Sequence, residues 1–178
     1  MRPPRVTSSR VVYENRWMRL REDTLERADG SPGLYAVVEK QAAALTIPVD
    51  GEDVILVEQY RYPVGARHWE APQGTHEGGA QDAERLARAE LAEETGMRAG
   101  SMERLGTLYF AYGFSDQPFD VWLATELTPG PQALDPEEEG LRVGRFPLSR
   151  VEEMIRANEI QDSATVAAFG LLRLQRPK

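Results

Sequence analysis

The sequence predicts an α/β domain in which a mixed sheet is sandwiched between helices. Three observations carry that reading. Strand-like runs separated by turn signals occupy the first third of the chain, a glycine-rich loop leads straight into a carboxylate-bearing helix in the middle, and the C-terminal segment is helical. Because strands and helices do not alternate strictly, the sheet is expected to be mixed rather than all-parallel. With 178 residues and 41% hydrophobic content, the chain is large enough for one compact domain with its own core. We read that domain over residues 41–178, with residues 1–40 as an N-terminal strand extension.

Taken in order, residues 11–13, 17–24, 34–38, 43–47 and 54–60 read as strands, rich in Val, Ile, Leu and aromatic residues. Asp29-Gly30-Ser31-Pro32-Gly33 and Asp50-Gly51-Glu52-Asp53 supply the reversals between them. After the central helix, residues 104–112, 119–126 and 141–146 read as three further strands. The tail is helical. Ser149-Arg150-Val151-Glu152 has the form of a capping box, and residues 163–174 are rich in alanine and leucine. No internal repeat and no low-complexity segment interrupts the pattern.

The central helix is where the chemistry concentrates. At about 100° of rotation per residue, Glu93 lies roughly 60° to one side of Glu90 and Glu94 roughly 40° to the other, so one stripe can hold all three. Like charges one turn apart repel, and more so where the face turns inward, unless a cation neutralises them. Hard divalent ions prefer carboxylate oxygens, and magnesium takes few protein ligands plus the substrate's phosphates. The chain offers no rival metal chemistry: it has no cysteine, and its two histidines, His68 and His76, lie apart and lack the spacing of a zinc site. A merely solvated acidic face is the bland alternative. Against it stand Leu86, Ala87 and Leu91, which give the helix an apolar side, and Thr95-Gly96, which gives it a stop.

These residues resemble the Nudix hydrolase signature, G-x5-E-x7-R-E-U-x-E-E-x-G-U with U aliphatic. Glu90-Leu91-Ala92-Glu93-Glu94-Thr95-Gly96-Met97 matches every fixed position of its second half. The first half departs twice. Ala89 stands where the family has arginine, with Arg88 beside it pointing about 100° away. Gly74 lies one residue further from Glu90 than the pattern allows, so the extra residue is expected in the loop between Thr75 and Gln81. The early glutamate then has only Gln81 or Asp82 nearby, and Asp82 equally suits a helix N-cap. Beyond the signature, Val57-Glu58-Gln59-Tyr60-Arg61, Glu70-Ala71-Pro72-Gln73-Gly74, the acidic run Glu137-Glu138-Glu139 and Glu159-Ile160-Gln161-Asp162 resemble stretches of the ADP-ribose pyrophosphatase branch, with Asn158 replacing a glycine.

The resemblance implies an α/β/α sandwich and a magnesium-dependent hydrolase, with manganese as a substitute ion. It implies Glu90 and Glu94 as metal ligands, Glu93 as a ligand or the orienter of metal-bound water, and the backbone carbonyl of Gln73 as a further ligand. The general base would come from Glu137, Glu138 or Glu139, of which we favour Glu139. Arg61 would contact a substrate phosphate or ribose, or form a surface ion pair; Glu70 would bridge to metal or substrate; Trp69 is expected to pack rather than stack on a base. His68 and His76 are expected as polar loop residues, and Tyr112-Gly113-Phe114-Ser115-Asp116 as a loop near the pocket. The branch also implies a homodimer that exchanges N-terminal strands, for which residues 10–38 are long enough. The substrate expected is a nucleoside diphosphate sugar, foremost ADP-ribose, cut to AMP and ribose 5-phosphate. A sanitising pyrophosphatase for nucleoside triphosphates or dinucleotides and a non-catalytic nucleotide-binding domain are the alternatives.

Charge narrows the partners further. A net charge of −8 argues against nonspecific binding to nucleic acid, whose phosphates it would repel. No run approaches the roughly 18 apolar residues of a membrane span, and no signal-peptide stretch follows Met1-Arg2-Pro3-Pro4, so a cytoplasmic location is expected.

Overall fold

The computed structural model describes residues 2–75, 82–134 and 138–176. It divides into two compact units, one formed by Met1–Ala42 with Tyr109–Pro118 and the other by Ala43–Leu108 with Phe119–Lys178.

The first unit is an antiparallel three-stranded sheet, ordered β1 (Arg5–Glu14), β2 (Arg19–Glu26), β3 (Pro32–Glu39). The β1–β2 turn is built by Asn15, whose side-chain oxygen accepts from the backbone N–H groups of Trp17 (2.9 Å) and Met18 (3.0 Å). Asp29 does the same for Ser31 at 3.0 Å between β2 and β3. β1 is much longer than residues 11–13. Its first half carries no apolar alternation because every residue of the strand is exposed, and ladder hydrogen bonds plus the Arg5–Glu26 and Arg10–Glu22 pairs define it instead. Residues 112–116 belong to this unit: Val38 N–H donates to the Phe114 carbonyl (2.8 Å) and Asp116 N–H to the Val38 carbonyl (3.3 Å).

The second unit contains β4 (Ala43–Asp50), β5 (Asp53–Arg61), β6 (Ala66–Glu70), β7 (Gln73–Thr75), α1 (Ala83–Thr95), β8 (Met97–Tyr109), β9 (Pro118–Pro129), β10 (Arg142–Pro147), α2 (Leu148–Arg156) and α3 (Ser163–Gln175). Its seven-stranded sheet runs β10-β5-β4-β9-β8, with β6 added to β5 and β7 to β4. β4 is parallel to β9 and antiparallel to β5 and β7, so the sheet is mixed, as expected. Both faces of β4 are covered. Ala44 packs with Leu86, Ala87 and Trp122, and the Thr46 hydroxyl donates to the Ala87 carbonyl of α1 at 3.3 Å. Side chains alternate along a strand, so Leu45 and Ile47 point to the opposite face, and α3 packs against β4 as well. The result is the expected α/β/α layering. Leu45, Ile47, Val54, Leu56, Leu91 and Phe119 are fully buried in the core, each worth about 1.5–3 kcal/mol of transfer free energy.

Three expectations are corrected. β8 begins at Met97, not residue 104, because Gly96 adopts the left-handed conformation (φ 69°) and turns the chain directly from α1 into a strand whose opening residues, Met97-Arg98-Ala99-Gly100-Ser101, include no β-branched or aromatic side chain. The capping box at Ser149 does not form: α2 starts two residues earlier than that cap would place it, at Leu148, and its N-cap Pro147 has no side-chain oxygen to offer. His68 lies on β6, opposite Gln59, rather than in a loop, and His76 lies outside the described residues. None of the described helices is long and apolar enough to cross a membrane.

Candidate metal centre

α1 is fixed at both ends by its own sequence. Asp82 is the N-cap, its carboxylate accepting from Glu84 N–H at 2.9 Å, so it belongs to helix initiation. At the other end Gly96 N–H donates to the Ala92 carbonyl at 2.9 Å. The carbonyls of the last turn are taken by the chain that follows β9. Ala133 N–H donates to Glu93 O (3.1 Å) and the Gln132 side chain to Glu94 O (2.6 Å). Those bonds bind the start of the acidic loop to the helix that carries Glu94. Arg67 grips the far side of that loop by donating to the Gly140 carbonyl at 2.6 Å, just before the buried Leu141.

So anchored, the loop delivers Glu138 to Glu90 and Glu94, and carboxylate oxygens of the three lie within 4.8 Å of one another. Glu139 is exposed and outside the group; Glu137 and Gln81 lie outside the described residues. Glu93 is exposed and also falls outside the group, so the inward stripe holds Glu90 and Glu94, one helical turn apart. Gly74 completes the wall. A Cβ there would sit 2.0 Å from the Glu90 carboxylate, so only a bare backbone lets that side chain lie against β7.

Glu94 is the telling residue. It is 1% exposed, and among the described residues nothing hydrogen-bonds its Oε2. Burial pushes its carboxyl well above the usual range, and Glu90, Glu138 and Glu70 add to the shift, with Arg61 as the opposing charge. An ionised group so placed is costly unless a cation joins it. Two magnesium–oxygen bonds span roughly 4.2 Å, so a slight contraction of the three carboxylates would enclose a divalent ion. The donor set, all hard oxygen, suits such an ion.

Glu70 shows the contrasting case. It is 2% exposed, but accepts from Gln59 Nε2 (2.7 Å), Arg61 Nε (3.2 Å) and a second Arg61 nitrogen. Burial still raises its pKa, with Arg61 opposing. Glu70 therefore holds Arg61, whose side chain remains 41% exposed. Arg88 does not stand in for the arginine absent at position 89, because it donates to Glu84 Oε1 (2.9 Å) and the Ala99 carbonyl (2.7 Å). Trp69 packs edge-on against Phe146, ring centroids 4.9 Å apart. The Gln73 side chain donates to Asp162 at 3.1 Å. The parts to which no role was assigned from the sequence are Gln59 and Gln132; Glu138 stood among the three loop candidates, with Glu139 favoured.

A helix presenting Glu90 and Glu94 to a glycine strand, joined by the loop carboxylate Glu138 beside a mixed sheet, makes a candidate site for a divalent cation of the kind used on phosphates. Comparison with known proteins agrees. Residues 39–168 match the Nudix domain and residues 5–38 match a nucleoside diphosphate sugar hydrolase N-terminal domain. Among relatives, an ADP-ribose pyrophosphatase of Mycobacterium tuberculosis is 30% identical over 90% of this chain and 78% of its own length. A methanol dehydrogenase activator of Bacillus methanolicus is 31% identical over 92% and 89%. A crystal structure of an ADP compounds hydrolase superposes with a TM-score of 0.86 at 21% identity, covering 98% of this chain and 95% of that one, and so shares the fold. The chain belongs to the Nudix family and is a Nudix diphosphohydrolase. Nudix hydrolases generally use divalent metal ions.

Proposed function

We propose that this protein is a magnesium-dependent hydrolase of the diphosphate linkage in a nucleoside diphosphate sugar, taking ADP-ribose to AMP and ribose 5-phosphate, with manganese as a substitute ion. The observation that carries the metal is the unpartnered Oε2 of the buried Glu94 beside Glu90 and Glu138. The match of residues 5–38 and the relative named for ADP-ribose support the substrate class. Bound divalent ion supplies neutralisation for the charge that grows on the leaving phosphate.

The chain's residues do the rest. Glu90 and Glu94 are ligands, with the Gln73 backbone carbonyl as a further one. Glu138 replaces Glu139 as the acidic-loop carboxylate, and it accepts the proton of the attacking water as the phosphorus–oxygen bond to the leaving phosphate breaks. Glu93 orients water from its exposed position. Arg61, held by Glu70, keeps guanidinium donors for a substrate phosphate. Glu70 acts through Arg61 and does not itself contact substrate. We also propose a homodimer that exchanges N-terminal strands, supported by the exposure of β1 along its whole length, with Val6, Val11, Val12 and Tyr13 about half exposed.

A product assay over a nucleotide panel with magnesium tests the substrate. AMP and ribose 5-phosphate from ADP-ribose, abolished by chelator, is the expected result. Cleavage of triphosphates or dinucleoside polyphosphates with sugar nucleotides spared sinks it. Light scattering tests the dimer, and a monomer at micromolar concentration removes it.

A further inference from the structure

A second polar cluster lies behind the acidic centre, at the start of α3. Asp162 is the N-cap of this helix, and one of its oxygens, Oδ2, accepts three hydrogen bonds: from Thr165 N–H (2.8 Å), the Thr165 hydroxyl (2.7 Å) and Gln73 Nε2 (3.1 Å). An N-cap ordinarily satisfies the orphan donors of its own helix. This one also reaches across to the β6–β7 connection. Thr165, wholly buried, passes the link on, because its hydroxyl oxygen accepts from Ala71 N–H at 2.9 Å. Ala71 has no exposed surface either, so that N–H has no access to water.

The residues gripped in this way are the ones that frame the metal centre. Ala71 follows Glu70, which holds Arg61, and Gln73 precedes Gly74, against which the Glu90 carboxylate lies. On the other side Thr46 N–H donates to the Pro72 carbonyl at 2.9 Å, while the Thr46 hydroxyl holds the Ala87 carbonyl of α1. The connection is therefore held between β4 and the α3 N-terminus, immediately before Gly74, which itself pairs with Ala44 of β4. The Glu90 carboxylate occupies the space that a side chain at position 74 would fill, so the placing of the Gly74 backbone bears directly on it.

We propose that Asp162 and Thr165 are positioning residues of the metal centre, fixing the Ala71–Gln73 backbone so that Gly74 sets the place of the Glu90 carboxylate. This rests on the reading that Glu90 and Glu94 hold the cation. Neither residue touches substrate; they act through backbone geometry, as outer-shell partners do, whose loss typically weakens metal binding about 10- to 100-fold.

The test is calorimetric titration of manganese into the full chain without nucleotide, for the parent, T165V, T165S, D162A and E94Q, together with kcat and KM for ADP-ribose at saturating metal. T165V keeps the volume and loses the hydroxyl; T165S keeps the hydroxyl. T165V and D162A are expected to weaken manganese binding by about tenfold and to lower kcat more than they raise KM, with T165S close to the parent. The proposal is overturned if folded T165V or D162A binds manganese as the parent does, or if T165S loses as much as T165V. Should T165V fail to fold, D162A and T165S decide it by the same criteria. Undiminished binding by E94Q is a separate result: it overturns the cation reading itself, and with it this inference, whereas a dead E94Q beside an unaffected T165V overturns the inference alone.

Discussion

Asp23 and Glu94 are both buried carboxylates, one in the N-terminal sheet at 4% exposure and the other on α1 at 1%, and they are treated in opposite ways. Asp23 accepts from the Ser9 hydroxyl (2.5 Å) and from Arg21 Nε (3.0 Å), and these bonds hold its pKa below the ordinary value. Glu94 has an oxygen to which no described residue donates, and burial first, then the three carboxylates around it, push its pKa up. A buried acid with its donors in place belongs to the structure. One left short of donors amid its own kind is the mark of a functional site, and here it fits the proposed cation.

The sharpest way to break this contrast is Glu94→Gln. Loss of a direct ligand should lower kcat by more than about a hundredfold, past the usual range for outer-shell partners. The same change should raise the melting temperature of the metal-free protein at neutral pH, by roughly 2–4 °C for each kcal/mol of relieved burial. The sign follows from linkage. Because Glu94's folded pKa lies above its unfolded value, the group costs the metal-free fold stability at pH above the unfolded pKa, and that cost fades as pH falls through the folded value toward the unfolded one. Thermal scans should therefore show the advantage of the variant shrinking toward pH 5. An unchanged or lower melting temperature at pH 7 would erase the comparison.

Glu138→Gln and Glu139→Gln refine it within one loop. The first should cost about a hundredfold in kcat as loss of a proton acceptor, while the second, at an exposed position, should stay within about twofold. Equal losses would return the role to the loop as a whole. The smallest effect on function is expected from Asp23→Asn, which should lower the melting temperature while leaving kcat and manganese affinity alone. Here the linkage runs the other way: a depressed folded pKa gives stability that is present above about pH 3.9 and lost as pH falls through the folded value. The difference between parent and variant should accordingly vanish in acid.

How much of this was legible in the sequence depended on whether a signal was local. α1 was, because its N-cap, apolar side and glycine stop all lie within one segment, and Glu90 and Glu94 follow from helical rotation alone. The mixed sheet was legible from runs of apolar residues. β6 and β7 were not, since five and three residues of half-buried character give no periodicity. Nor was the choice between Glu138 and Glu139. That depends on where Gln132 and Arg67 pin the loop, and both pins are contacts across the fold. The three glutamates of the stripe differ in burial, which rotation could not give, since it yields an angle but not how far the neighbouring strand and loop reach around the helix, and Glu93 stays exposed.

The bare backbone at Gly74 has a consequence for diversity. In a library randomised at two glycines and selected for turnover, position 74 should return glycine alone, since even alanine would collide with Glu90. Position 113, where an added methyl meets nothing within 4 Å, should accept most of the genetic code.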